Sequence, residues 1–79
     1  MFKELDQVVL RDDFPEDGLK AGDVGTVVMV HQGGKGFEVE FVALDGESVA
    51  VITADTDQLR EGRKNEIARV RSVELPLAA

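Results

Sequence analysis

The segment Phe37-Glu38-Val39-Glu40-Phe41 constrains this chain more than any other. Apolar and charged residues alternate strictly. In an extended strand successive side chains point to opposite faces, so Phe37, Val39 and Phe41 share one face while Glu38 and Glu40 share the other. No helix sorts these residues so cleanly. The segment therefore predicts a β-strand with one dry and one wet face, running on through Val42-Ala43-Leu44.

Its neighbours extend the pattern. Asp23-Val24-Gly25-Thr26-Val27-Val28-Met29-Val30 is rich in β-branched residues and reads as a strand. Both of its faces are largely apolar: Val24, Thr26, Val28 and Val30 on one, Val27, Met29 and His31 on the other. Such a strand belongs inside a barrel or beneath another chain. Gly22 is expected to supply a turn conformation that other residues resist, and Gly25 a bulge or a close backbone approach. Gln32-Gly33-Gly34-Lys35-Gly36 joins the two strands. Its glycines could suggest a phosphate cradle, but the spacing is not that of a P-loop and a strand follows where a helix should begin. A hairpin connection is the better reading.

Asp45-Gly46 is a tight-turn signal, and Val49-Ala50-Val51-Ile52-Thr53 reads as the next strand. Gln7-Val8-Val9-Leu10 is an earlier short one. Asp55-Thr56-Asp57-Gln58-Leu59 reads as a single capped helical turn. The segment from Asn65 to Leu75 has two readings. Ile67, Val70 and Val73 recur at helix spacing, while Ile67, Arg69, Arg71, Val73 and Leu75 alternate as in a strand. Its β-branched content favours the strand. The expected fold is all-β: a small antiparallel barrel over residues 1–62, followed by a C-terminal extension over residues 63–79 that packs on the barrel or on a partner.

Seventy-nine residues make one domain with a thin core. With no cysteine, disulfides and thiolate metal sites are excluded. The chain shows no apolar run of signal-peptide or membrane-spanning length, so a cytoplasmic location is expected. The net charge is −7, which opposes attraction to nucleic-acid backbones and anionic membranes. The charge is uneven. Residues 1–59 hold 13 acidic and 4 basic groups, whereas residues 60–79 hold 5 basic and 3 acidic.

Several residues could carry function, and each has a plainer explanation beside it. Asp12, Asp13, Glu16 and Asp17 surround Phe14 in a loop. They could face a basic partner or hold a divalent cation, but EF-hand spacing is absent and Pro15 interrupts the run. A solvated loop anchored by Phe14 is the plain reading. His31, the only histidine, ends a strand and cannot make a zinc site alone. Glu38 and Glu40 resemble an acid–base pair in spacing, but an exposed sheet face offers no pocket to separate their pKa values. Arg60, Arg63, Lys64, Arg69 and Arg71 could contact phosphate, yet no aromatic residue lies among them to stack on bases. Pairing with the acidic barrel is the alternative. No catalytic residue, cofactor or metal is expected.

Five short strands with a helical turn before the last resemble the SH3-like barrels. The segments Gln7-Val8-Val9-Leu10, Gly22-Asp23-Val24-Gly25-Thr26-Val27-Val28 and Phe37-Glu38-Val39-Glu40-Phe41 carry that likeness. It extends to accessory barrels such as the small subunit of photosystem I and the β-subunit of nitrile hydratase. The Gly-Asp-Val-Gly-Thr-Val core is also similar to KOW-type modules. A closer resemblance, through Leu5–Leu10, Gly18–Val28, Val39-Glu40-Phe41 and Asp45-Gly46-Glu47, is to a family of small bacterial proteins of unknown function. That resemblance implies a protein partner, as in an antitoxin- or immunity-like pair, and supplies no chemistry. The expectation is a non-catalytic acidic protein-binding module. Asp12, Asp13, Phe14, Glu16, Asp17, Met29, His31, Arg69 and Arg71 are its candidate partner-binding residues. An accessory enzyme subunit and a KOW-like nucleic-acid binder are the alternatives. A homodimer is a separate expectation, with the Ile67–Leu75 segment pairing against a neighbouring strand.

Overall fold

A computed structural model describes residues 2–73. Five strands form one antiparallel sheet: β1 (Gln7–Leu10), β2 (Val24–His31), β3 (Gly36–Val42), β4 (Ser48–Ala54) and β5 (Leu59–Arg60), in the order β4-β3-β2-β1-β5. Two 3-10 turns complete the regular structure. Pro15–Asp17 lies in the acidic loop, and Thr56–Gln58 joins β4 to β5. The second is the capped turn expected from the sequence. The Asp55 and Gln58 side chains each bond the other's end of the turn, so two backbone N–H groups are satisfied locally.

This connectivity forces the sheet to roll. β4 and β5 are opposite edges, about 19 Å apart if the sheet were flat at the usual strand spacing. The chain crosses from Ala54 to Leu59 in five steps, no more than about 18 Å even when fully extended, and three of the intervening residues are coiled into a turn. The edges must therefore approach each other. The core records the closure: Val8 and Leu10 of β1, Val27 of β2, Phe37, Val39 and Phe41 of β3, Ile52 and Ala54 of β4 and Leu59 of β5 all join one buried cluster. The protein is a small all-β barrel of the SH3-like kind, open between β4 and β5.

Phe37 is fully buried at its centre. The Phe2 ring stands edge-on against it, with centroids 5.5 Å apart and planes at 80°. The N-terminal segment is held in place by Leu5 N–H donating to Val27 O (2.7 Å) and Val27 N–H donating to Asp6 O (2.9 Å). Phe14 packs against the same core from the acidic loop, where it exchanges two backbone hydrogen bonds with Leu19.

β3 alternates as its sequence requires. β2 does not keep one parity. The register runs Val27↔Val39 and then Met29↔Glu38, so Val28 is an extra residue at a bulge. Before it, Gly25 and Val27 face the core. After it, Val30 does, opposite Phe37. The expected single-parity faces of this strand are thus corrected: Val28 and Val30 do not share a face, and Val28 and Met29 are both exposed.

The C-terminal extension also departs from expectation. Over 61–73 neither strand nor helix forms; the chain is irregular apart from a turn at 64–65. Residues 74–75 of the anticipated strand lie outside the described residues. The cause is local. Asn65 sits at φ 73 and breaks an extended run, while the Glu66 carboxylate accepts from the Arg63 N–H at 2.6 Å and closes the turn.

Candidate functional site

The rolled sheet gives β2, β3 and β4 a common outer face. Cross-strand register fixes its two rows. Met29, Glu38 and Thr53 lie side by side, as do Thr26, Glu40 and Val51. Val28, outward by alternation from Val27, stands beside them, and the bulge keeps Met29 outward as well. Apolar side chains substantially exposed on this face include Met29 by 50%, Val28 by 41% and Val51 by 53%. Scattered exposed apolar residues are ordinary, but here they neighbour one another around two carboxylates.

The Glu38 carboxylate organises the face. Its Oε1 accepts from the Thr53 hydroxyl at 3.0 Å and lies 3.2 Å from His31 Nε2. These bonds span three strands and hold Glu38 in one orientation. The His31–Glu38–Thr53 arrangement is an exposed polar brace. The Thr53 hydroxyl donates to the Glu38 carboxylate rather than to the imidazole.

The acidic loop forms a second region. Asp12 and Glu16 are exposed, Asp17 is half-buried, and Asp13 Oδ1 accepts from the Ala21 N–H at 2.9 Å. Gly22, at φ 95, makes the tight turn that brings the chain into β2. Arg71 arrives here from the far end of the chain. Its Nε donates to Asp23 Oδ1 at 2.9 Å, and its Nη2 donates to Asp23 Oδ2 and to Gly18 O, the latter at 3.1 Å. Burial pushes the Asp23 carboxyl up, but the Arg71 guanidinium and the Lys20 N–H outweigh it and hold the group below its ordinary value. Earlier in the extension, Arg60 makes a two-pronged pair with Glu66, at 2.8 and 2.9 Å. That pair, with the Arg63 N–H, pulls the Glu66 carboxyl down to about 2.

Residues 61–73 therefore form a strap, tied by Arg60–Glu66 at one end and Arg71–Asp23 at the other. Two clefts, of about 390 and 550 Å³, flank it. The first is lined by Val9, Val24, Arg63 and Ile67, and the second by Asp13, Leu19, Lys20 and Arg71. Val9 lies outside the core cluster yet is only 7% exposed, at the bottom of the first cleft.

Eight of the nine candidate residues thus fall into two groups. Asp12, Asp13, Phe14, Glu16, Asp17 and Arg71 gather around the acidic loop, while Met29 and His31 lie on the outer face of the sheet. Arg69 is exposed on the strap. Phe14 is turned toward the core, and Arg71 is committed within the chain. Sequence reasoning missed Val28, Val51 and Thr53 as members of the outer face. The parity of Val51 and Thr53 was a usable signal, whereas the bulge that puts Val28 and Met29 on one face left none. Among the described residues, no three His, Asp or Glu side chains converge so as to hold a metal ion, and no helix is long and apolar enough to cross a membrane.

The fold and this surface define a class: a small all-β barrel with an acidic, partly apolar outer face. Within it, the chain belongs to the family described as a domain of unknown function, DUF4926, whose model matches residues 4–61. The match takes in all five strands and stops where the strap begins. No curated protein and no solved structure matches the chain.

Proposed function

We propose that this chain is a non-catalytic, acidic protein-binding module of the bacterial cytoplasm, serving as the neutralising or accessory partner of another small protein. The observation that carries the reading is the outer face of β2, β3 and β4, where Met29, Val28 and Val51 lie exposed around Glu38 and Glu40. Interfaces bury an apolar centre within a polar rim, and methionine suits such centres because it adapts its shape. The carboxylates and the net charge of −7 favour a basic partner and speed its approach. An accessory subunit of an enzyme would use the same face. A KOW-like nucleic-acid role is the weaker alternative. Arg60 and Arg71, two of the five basic groups in residues 60–79, are held in ion pairs within the chain, and the global charge repels phosphate.

Co-purification of the tagged chain from its native cell tests the reading. The native chain should retain a stoichiometric basic protein, and Met29→Glu should lose it while keeping the thermal stability of the parent. Retention of nucleic acid alone, or of no stoichiometric protein across repeated preparations, would sink the proposal.

A further inference from the structure

β4 is one edge of the sheet. Among the described residues, its far side meets no strand, and none of the turn and loop backbone hydrogen bonds reaches Ser48–Ala54. An edge of this kind presents a row of backbone donors and acceptors to any extended chain. Proteins usually blunt such edges with lysine, proline, bulges or very short strands. The opposite edge follows that rule, because β5 has two residues and carries Arg60. β4 does not. Its sequence, Ser-Val-Ala-Val-Ile-Thr-Ala, has no charge, proline or glycine in a chain that is 32% charged. The register shift opposite Phe41 and Val42 lies at its beginning and leaves Ala50–Ala54 in regular register.

The surroundings of the edge select its occupant. Asp45 and Glu47 precede β4, and Asp55 and Asp57 follow it. Glu38 and Glu40 stand on β3 beside Thr53 and Val51. A second copy is poorly suited. Antiparallel self-pairing centred on Val51 sets Glu47 of each copy against Asp55 of the other, and like charges directly opposite destabilise a strand pair. A strand that is apolar in the middle and cationic at both ends meets Val51 with apolar contact and the flanking carboxylates with opposite charge.

We propose that the β4 edge is a strand-addition site that takes an extended, basic-ended segment of a partner protein. This rests on the protein-binding reading and names how the partner is held: backbone hydrogen bonds supply affinity, and the flanking carboxylates select charge.

The test is titration of the isotope-labelled full chain with three synthetic peptides, read from its backbone amide resonances. The first alternates valine and threonine between paired lysines, the second replaces the lysines with glutamates, and the third carries a central proline. The lysine-ended peptide should shift the amides of Ser48–Ala54. Its affinity should fall about tenfold or more with glutamate ends, and the proline peptide should not bind. Val51→Lys in the protein should weaken the first peptide. Equal binding of the lysine- and glutamate-ended peptides, shifts confined to other elements, concentration-dependent β4 shifts without peptide, or no shifts at all would each overturn the proposal. If a partner co-purifies and is lost with Met29→Glu while β4 is unmoved by every peptide, strand addition fails and the protein-binding reading stands.

Discussion

Gly25 shows how little slack the core leaves at a single residue. A Cβ built there would lie 2.7 Å from Val39 Cγ1 and 2.8 Å from the Phe41 ring. Both neighbours are buried side chains wedged in the core, so neither can retreat without disturbing others. Gly25→Ala is therefore expected to destabilise the fold by about 1–3 kcal/mol, as overpacking does. Urea denaturation would measure it; an unchanged midpoint would show that the ring can move aside. The close approach was legible at Gly25 as one of two options, the other being a bulge. The bulge falls three positions later, at Val28, where no glycine marks it. Val27-Val28-Met29-Val30 is apolar on both parities, so a one-residue shift leaves no trace in the pattern. The same ambiguity hid that Val28 and Met29 share the outer face, and with it part of the candidate face.

Among the elements, the strands with unequal faces were readable and the strap was not. β3 could be assigned because Glu38 and Glu40 cannot occupy the side that Phe37, Val39 and Phe41 take. The extension offered both a helical and an extended periodicity. Its actual form combines a local break, with Asn65 at φ 73 and Glu66 closing the turn on Arg63, and an anchor far off in sequence, Arg71 on Asp23; neither is written in the periodicity. Those pairs predict a response to acid. The Glu66 carboxyl lies at about 2 against an ordinary 4.5, and that of Asp23 lies below its ordinary 3.8. A depressed carboxylate favours the folded arrangement above its unfolded pKa and loses that contribution as pH falls through the folded one. The strap should thus loosen between about pH 4.5 and 2, while the barrel, whose core holds no buried charge, persists lower. Amide resonances of residues 61–73 followed through that window would show the strap moving first. Loss of strap and barrel together at one pH would contradict the assignment.

At the scale of the whole molecule, the barrel has two unlike sides. On one, the strap runs beside Val9 and is tied to the start of β2 by the Arg71–Asp23 pair. On the other, the sheet presents Val28, Met29 and Val51 around Glu38 and Glu40, with the Glu38 carboxylate held by Thr53, and the β4 edge borders them. The central claim is that this second side docks a protein. Amide hydrogen exchange of the chain, alone and with the protein that co-purifies with it, tests that most directly. The account predicts new protection across Val28–His31, Glu38–Glu40 and Ser48–Ala54, with exchange in the acidic loop and strap unchanged. Protection confined to Asp12–Gly18 or to residues 61–73 would contradict it.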